Sequence, residues 1–197
     1  MSDQARTFDI QDARRTLRSG SDLRAHLRER TAGTHATLDE RLDALPLETP
    51  EGYGLFLKVV AAGLLPLEAY LKQHGIARIL DDWPLRERTP AIREDLSRLA
   101  DGRTFSVDRS RLPLAPVLGH LWGALYVLEG SRLGGRVLRR RVPEGLPTAY
   151  LDHGRDAALW PSFLQRLKSA EADWEPMVAG AEAAFALFHE AADHARC

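Results

Sequence analysis

The chain has 197 residues, with 27 Lys and Arg against 28 Asp and Glu and a hydrophobic share of 44%. That length suits about one domain whose core needs no cross-links. The formal net charge of -1 excludes a strongly basic nucleic-acid binder and an acidic solvating tail as whole-chain readings. The single cysteine, Cys197, excludes a disulfide framework within the chain and a cysteine-based zinc site, and points to a reducing, cytoplasmic compartment. Arginine outnumbers lysine 24 to 3. Codon bias accounts for that excess, so only an arginine at an argued position counts as evidence.

Residues 1–20 carry no sustained apolar period and no signal-peptide core, and are expected to form a mobile arm ahead of one helical domain over 21–197. Ser21 and Asp22 offer N-caps for a helix marked by Leu23, Leu27, Thr31, Leu38, Leu42 and Leu45 and ended by Pro46. Thr49-Pro50 caps the next helix, which runs through Tyr53, Phe56, Leu57, Val60, Leu64, Leu67 and Leu71 to a stop at Gly75, with a kink expected at Pro66. Its apolar run, Val59 to Leu67, is interrupted by Gly63 and Pro66 and falls short of the ~20 residues of a membrane span. Thr89-Pro90 opens a helix that Asp101-Gly102 closes. The longest apolar-periodic segment runs from about Pro113 to Val142. Trp160-Pro161 opens a helix to about Ala170, and a last one covers roughly Trp174 to Ala195. Strand signals are almost absent, so the fold class is all-α, with six to eight helices and no internal repeat.

Two of these helices carry chemistry. In the first, His35 falls among the apolar positions, where an imidazole needs a partner for at least one ring nitrogen. It is either a core histidine bonded to a backbone carbonyl or an axial ligand to haem iron. Arg28 lies two turns earlier on the same face, about 10 Å away at 1.5 Å per residue. That is about the span from a haem's iron to its carboxylate edge, although a solvated surface role remains open. In the long helix, Gly119, Gly123, Gly130, Gly134 and Gly135 each cost about 0.8–1 kcal/mol relative to Ala. At about 100° per residue, the first four fall within about 60° of one another. A face without side chains admits either another helix or a flat ligand, and Gly134-Gly135 invites a kink. The opposite face, with Glu129, Arg132, Arg136, Arg139 and Arg140, reads as solvated and partly salt-bridged, and as a surface able to dock an acidic redox partner.

Leu27-Arg-Glu-Arg-Thr-Ala-Gly-Thr-His35 with Leu38-Asp-Glu40 resembles the proximal helix of haem oxygenases. Tyr126-Val-Leu-Glu-Gly-Ser-Arg-Leu-Gly-Gly135 resembles the distal helix of their bacterial, bacteriophytochrome-associated subgroup. The resemblance implies a haem-oxygenase-like fold with haem b held between a proximal and a kinked, Gly-rich distal helix. It implies His35 as iron ligand, Gly130 and Gly134 as the close distal backbone, Tyr126 as a further haem contact, and Arg28 as a propionate partner. Arg166 and Lys168 fall where the family places further propionate contacts. Ser131 stands where many members have a distal Asp; its hydroxyl can hold a water but cannot be an anionic acceptor. The implied reaction uses O2 and external electrons to open haem to biliverdin, CO and ferrous iron. The donor would be of ferredoxin or reductase type, because no dinucleotide fingerprint is present, and a bacteriophytochrome could accept the product. No nucleic-acid or membrane partner is implied.

Rival chemistry finds little support. A di-iron oxidase wants Glu-x-x-His pairs, whereas Glu190 and His194 are four apart. No HExxH is present, and there is no internal Cys. The remaining alternatives are a haem-binding or haem-delivery protein without turnover, for which Ser131 is the best support, and a plain helical interaction module.

Overall fold

The computed structural model describes residues 20–99 and 115–194, with side chains from residue 23 onward. The N-terminal arm, the Asp101-Gly102 stop, the Pro113 start and Cys197 lie outside the described residues. The elements are α1 (Gly20–Asp43), α2 (Pro50–Gln73), α3 (Thr89–Leu99), α4 (Leu118–Leu138), α5 (Ala149–Asp152), α6 (Leu159–Lys168) and α7 (Trp174–His194). Three short 3-10 turns complete them, Ile76–Arg78, Trp83–Leu85 and Arg139–Arg141. The all-helical expectation holds among the described residues.

Local chemistry sets the boundaries. The Thr49 hydroxyl accepts from the Gly52 amide at 3.1 Å, capping α2, and Pro50 occupies its first turn. Gly75 then takes φ 77°, which reverses the chain after α2 where a side chain would be strained. Pro66 lies inside α2, yet the helix continues to Gln73. By length and composition α2 is apolar enough to cross a membrane. However, 61% of its most apolar window is buried inside the protein, so it serves here as a core helix.

The hub is α7, against which α4, α1 and α2 all pack. Its contact with α4 is unusually close. A Cβ on Gly123 would collide with the Met177 carbonyl oxygen and stand 2.6 Å from the Ala181 amide. A Cβ on Gly119 would meet Pro176 at 2.5 Å, and one on Gly180 would meet the His120 Cα at 2.6 Å. Met177, Ala181, Ala184 and Phe185 are buried, as their spacing predicts. α3 packs on α2, and α6 spans from α1 to α4. Thus α7 and α6 carry α1 and α4 beside each other.

Candidate functional site

His35 is not buried, contrary to the sequence reading; its side chain is 54% exposed. The reason is angular. With Leu27 as origin, the buried residues Leu23, Thr31 and Leu38 lie within about 40°, whereas Arg24, His35 and Arg28 fall at about 60°, 80° and 100°. These three form a polar stripe beside the apolar one. His35 Nδ1 lies 2.9 Å from Asp39 Oδ2, one turn on, and its ring meets the edge of buried Phe185 at a centroid distance of 5.7 Å. With Nδ1–H donating to Asp39, Nε2 keeps its lone pair, the state a metal-binding imidazole requires. Partial burial pushes the Asp39 carboxyl up from its ordinary value, His35 opposes that, and Asp43 adds to it. Outside the stripe, α1 is fixed to α7 by Thr34 Oγ1 with His189 Nε2 at 2.9 Å and by Arg41 with Asp193 at 2.8 Å.

On α4 the glycine face divides along the helix axis. Gly119 and Gly123 are taken by α7. About two and three turns further, among the described residues nothing but the Trp160 ring approaches Gly130, at 3.8 Å from a built Cβ, and nothing lies within 4 Å of one on Gly134. The two readings of that face, helix packing and open approach, therefore apply to different halves of it. Tyr126 stands one turn before Gly130. Burial raises its phenol, and the charges of Arg24 and Arg28 act in the opposite sense. The Arg24 guanidinium lies 5.9 Å over the Trp160 ring, and Trp160 lies 5.9 Å from Tyr126. Arg24 and Arg28 of α1, Tyr126 and Gly130 of α4, and Trp160 of α6 thus form one neighbourhood. Arg24 and Trp160 were missed by the sequence reading. Arg24 was legible as a member of the Arg28–His35 stripe, while Trp160 comes from a helix remote in sequence.

Arg166 pairs with Asp81 at 2.6 Å across a partly exposed contact, and Lys168 is exposed at the end of α6. Two expectations need correction. Glu129 and Arg132 do not lie on a solvated face. They are 1% and 8% exposed and belong to a network with Arg86, itself 1% exposed. Arg86 engages Asp82 through both carboxylate oxygens, at 2.8 and 2.7 Å, Glu129 at 2.6 Å, the Leu159 carbonyl at 2.9 Å and Ser162 at 2.7 Å. All five of its N–H donors are used. Glu129 also accepts from Arg132 at 2.9–3.1 Å. Finally, the Ser131 hydroxyl is not free. It donates to the Leu128 carbonyl at 2.8 Å and accepts from Arg88 Nη1 at 3.1 Å. Its proton is spent and one acceptor lone pair remains.

No family model matches the chain. It is 38% identical over 136 residues to a protein named "Heme oxygenase" from Xanthomonas campestris pv. campestris (strain 8004), a match covering 64% of this chain and 79% of that one. Its fold is similar to the structure of heme oxygenase from Leptospira interrogans, with TM-score 0.66 and 16% identity over 87% of this chain and 98% of the other. It is also similar to the NO- and CO-bound heme oxygenase from Neisseria meningitidis, with TM-score 0.67 and 20% identity over 88% and 91%. Those two likenesses concern the fold alone. On the identity and coverage of the Xanthomonas relative, the chain belongs to the haem oxygenase family.

Proposed function

We propose that haem, the substrate, is held between the Arg24–His35 stripe of α1 and the Gly130–Gly134 face of α4, with His35 Nε2 as the iron ligand. The chain is a haem-degrading enzyme by family. The observation that carries the site is the pairing of a half-exposed imidazole, fixed through Nδ1 on Asp39, with an α4 face that stays open where a Cβ would point. A flat apolar ring needs that clearance on one side and a single donor on the other. Its carboxylates need cations, and Arg28 and Arg24 supply them from the same stripe. The residues present therefore fit the group.

When bound, haem supplies the dioxygen chemistry that opens its own ring to biliverdin, CO and ferrous iron. The protein's part is positional. Asp39 sets the His35 tautomer. Gly130 and Gly134 leave room for dioxygen and offer no side chain to compete for iron. Trp160 and Tyr126 provide aromatic walls. Ser131 Oγ, with its proton on Leu128 and one lone pair on Arg88, orients water as an acceptor but hands over no proton while those bonds last. Electrons come from an external ferredoxin- or reductase-type donor in the cytoplasm, and a bacteriophytochrome is the proposed biliverdin acceptor.

The test is reconstitution with haemin, a reductant and air. Loss of the Soret band with growth of a far-red biliverdin absorption is expected; a stable oxy spectrum would leave only a haem carrier. His35→Ala should lose the axial-ligand spectrum and regain it in part with added imidazole. An unchanged spectrum in that variant would remove His35 from the iron.

A further inference from the structure

On the flank of α4 that bears Ser131 and Gly135 lies a second, small pocket open to solvent. It takes guanidinium groups from three directions: Arg88 from just before α3, Arg132 and Arg136 from α4, and Arg155 from the loop after α5, with the His153 imidazole beside them. No carboxylate is among its lining residues in the described part of the chain. The floor is buried and the rim exposed: Arg88 and Arg132 are 3% and 8% exposed, whereas Arg136 and Arg155 face solvent.

The charges of the floor are unequally compensated. Arg132 has Glu129. Among the described residues the Arg88 guanidinium has only neutral partners, the Leu128 carbonyl at 2.8 Å, Ser131 at 3.1 Å and the Tyr150 hydroxyl at 3.4 Å. Its Nε is buried with no hydrogen-bond partner among the described residues. A buried guanidinium that lacks an anion and leaves its Nε–H unused is costly unless something satisfies it. At the rim, Arg155 reaches Asp152 at 3.5 Å across a largely exposed pair, and Arg136 donates only to the Arg155 carbonyl at 3.1 Å. The positive potential is felt locally: burial first, then Arg132 and Arg88, hold the His153 imidazole below its ordinary value.

We propose that this pocket binds a small tetrahedral oxyanion, a phosphate group either free or carried by a small molecule. Donors that converge from three elements suit an anion with three or more accepting oxygens better than a planar carboxylate, which a single guanidinium fork would saturate. The inference rests on Arg88, Arg136 and Arg155 and on neither His35 nor Arg28; Ser131 is the one residue that this pocket shares with the proposed haem site.

The experiment is calorimetric titration of the haem-free chain with inorganic phosphate and with sulfate at constant ionic strength, with His153 ring resonances as a local reporter. Saturable one-to-one binding that moves the His153 signals is expected. Arg136→Ala with Arg155→Ala, both at exposed positions that the fold does not need, should weaken it about tenfold or more. Arg28→Ala should leave it unchanged. Equal responses to phosphate and chloride, tighter binding of acetate than of phosphate, or undiminished binding in the double variant would each overturn the assignment.

Discussion

The divided glycine face makes a paired prediction. A methyl group at Gly123 would meet α7 backbone, the Met177 carbonyl and the Ala181 amide, so no flexible side-chain end can yield. The two helices must separate, at the upper end of the about 1–3 kcal/mol that overpacking costs. Alanine returns about 1 kcal/mol of helix propensity, so Gly123→Ala should lose about 2 kcal/mol net. At Gly134 a Cβ meets nothing within 4 Å among the described residues, and only the propensity gain of about 1 kcal/mol remains. In a domain of this size these values correspond to a melting temperature lower by about 4–8 °C for Gly123→Ala and higher by about 2–4 °C for Gly134→Ala. Urea denaturation of the haem-free proteins separates them, because the midpoints should move in opposite directions at similar slope. Haem affinity or turnover should fall in the Gly134 series as the side chain grows to Leu, without any loss of stability. If both alanine variants move the same way, or if Gly134→Leu turns over normally, the division of that face between packing and ligand approach is wrong.

Glu129→Ala would leave Arg86 and Arg132 buried without their shared carboxylate, and should cost about 3–5 kcal/mol by urea midpoint. A loss under about 1 kcal/mol would mean that water replaces the carboxylate. The Asp82 carboxyl is held below its ordinary 3.8 chiefly by the hydrogen bonds from Arg86. Its stabilisation is therefore present above that value and lost as pH falls through the lowered folded one. Asp82→Asn should reduce stability at neutral pH and flatten the decline below about pH 4; parallel acid curves for variant and parent would contradict this. Asp39→Ala should leave His35 able to bind iron but weaken haem binding and broaden the axial-ligand spectrum, since ligand-orienting partners typically contribute about 10–100-fold in affinity. Parental affinity and spectrum would show that Asp39 does not orient the ring.

Helix order and type were legible because α1, α2, α4 and α7 each repeat apolar residues at helical spacing, and because Thr49-Pro50 and Gly75 carry their own boundary chemistry. The proximal stripe was legible only in part. Counting intervals placed His35 near the apolar face, but an interval of eight residues from Leu27 leaves it about 80° away, enough to move an imidazole from core to cleft. Gly119 and Gly123 share an azimuth with Gly130 and Gly134. Nothing in a periodicity says that α7 covers the first pair and leaves the second, because that depends on where another helix ends its contact. Arg86 and Arg88 carried no signal at all in a chain with 24 arginines. Their burial follows from Glu129 and Ser162 being brought to Arg86, and the Leu128 carbonyl and Ser131 to Arg88, by other elements.

Those buried charges bear on the site they do not line. An open, glycine-rich helix segment is intrinsically weak, since each glycine favours the unfolded chain. On α4 that weakness begins just where α7 ceases to hold it, at Gly130. The residue before it, Glu129, is tied to Arg86 and through it to the Asp82 turn and α6. The residue after it, Ser131, is tied to Arg88, whose own backbone amide donates to Glu68 of α2 at 2.9 Å. Arg132 donates in turn to the Arg86 carbonyl at 2.6 Å. The side chains on both sides of Gly130 thus anchor the helix to three other elements on its far faces, while the face toward α1 keeps no side chain. A backbone can be brought close to a flat ligand and still held in place only if its anchors lie behind it, and the buried arginines provide that arrangement.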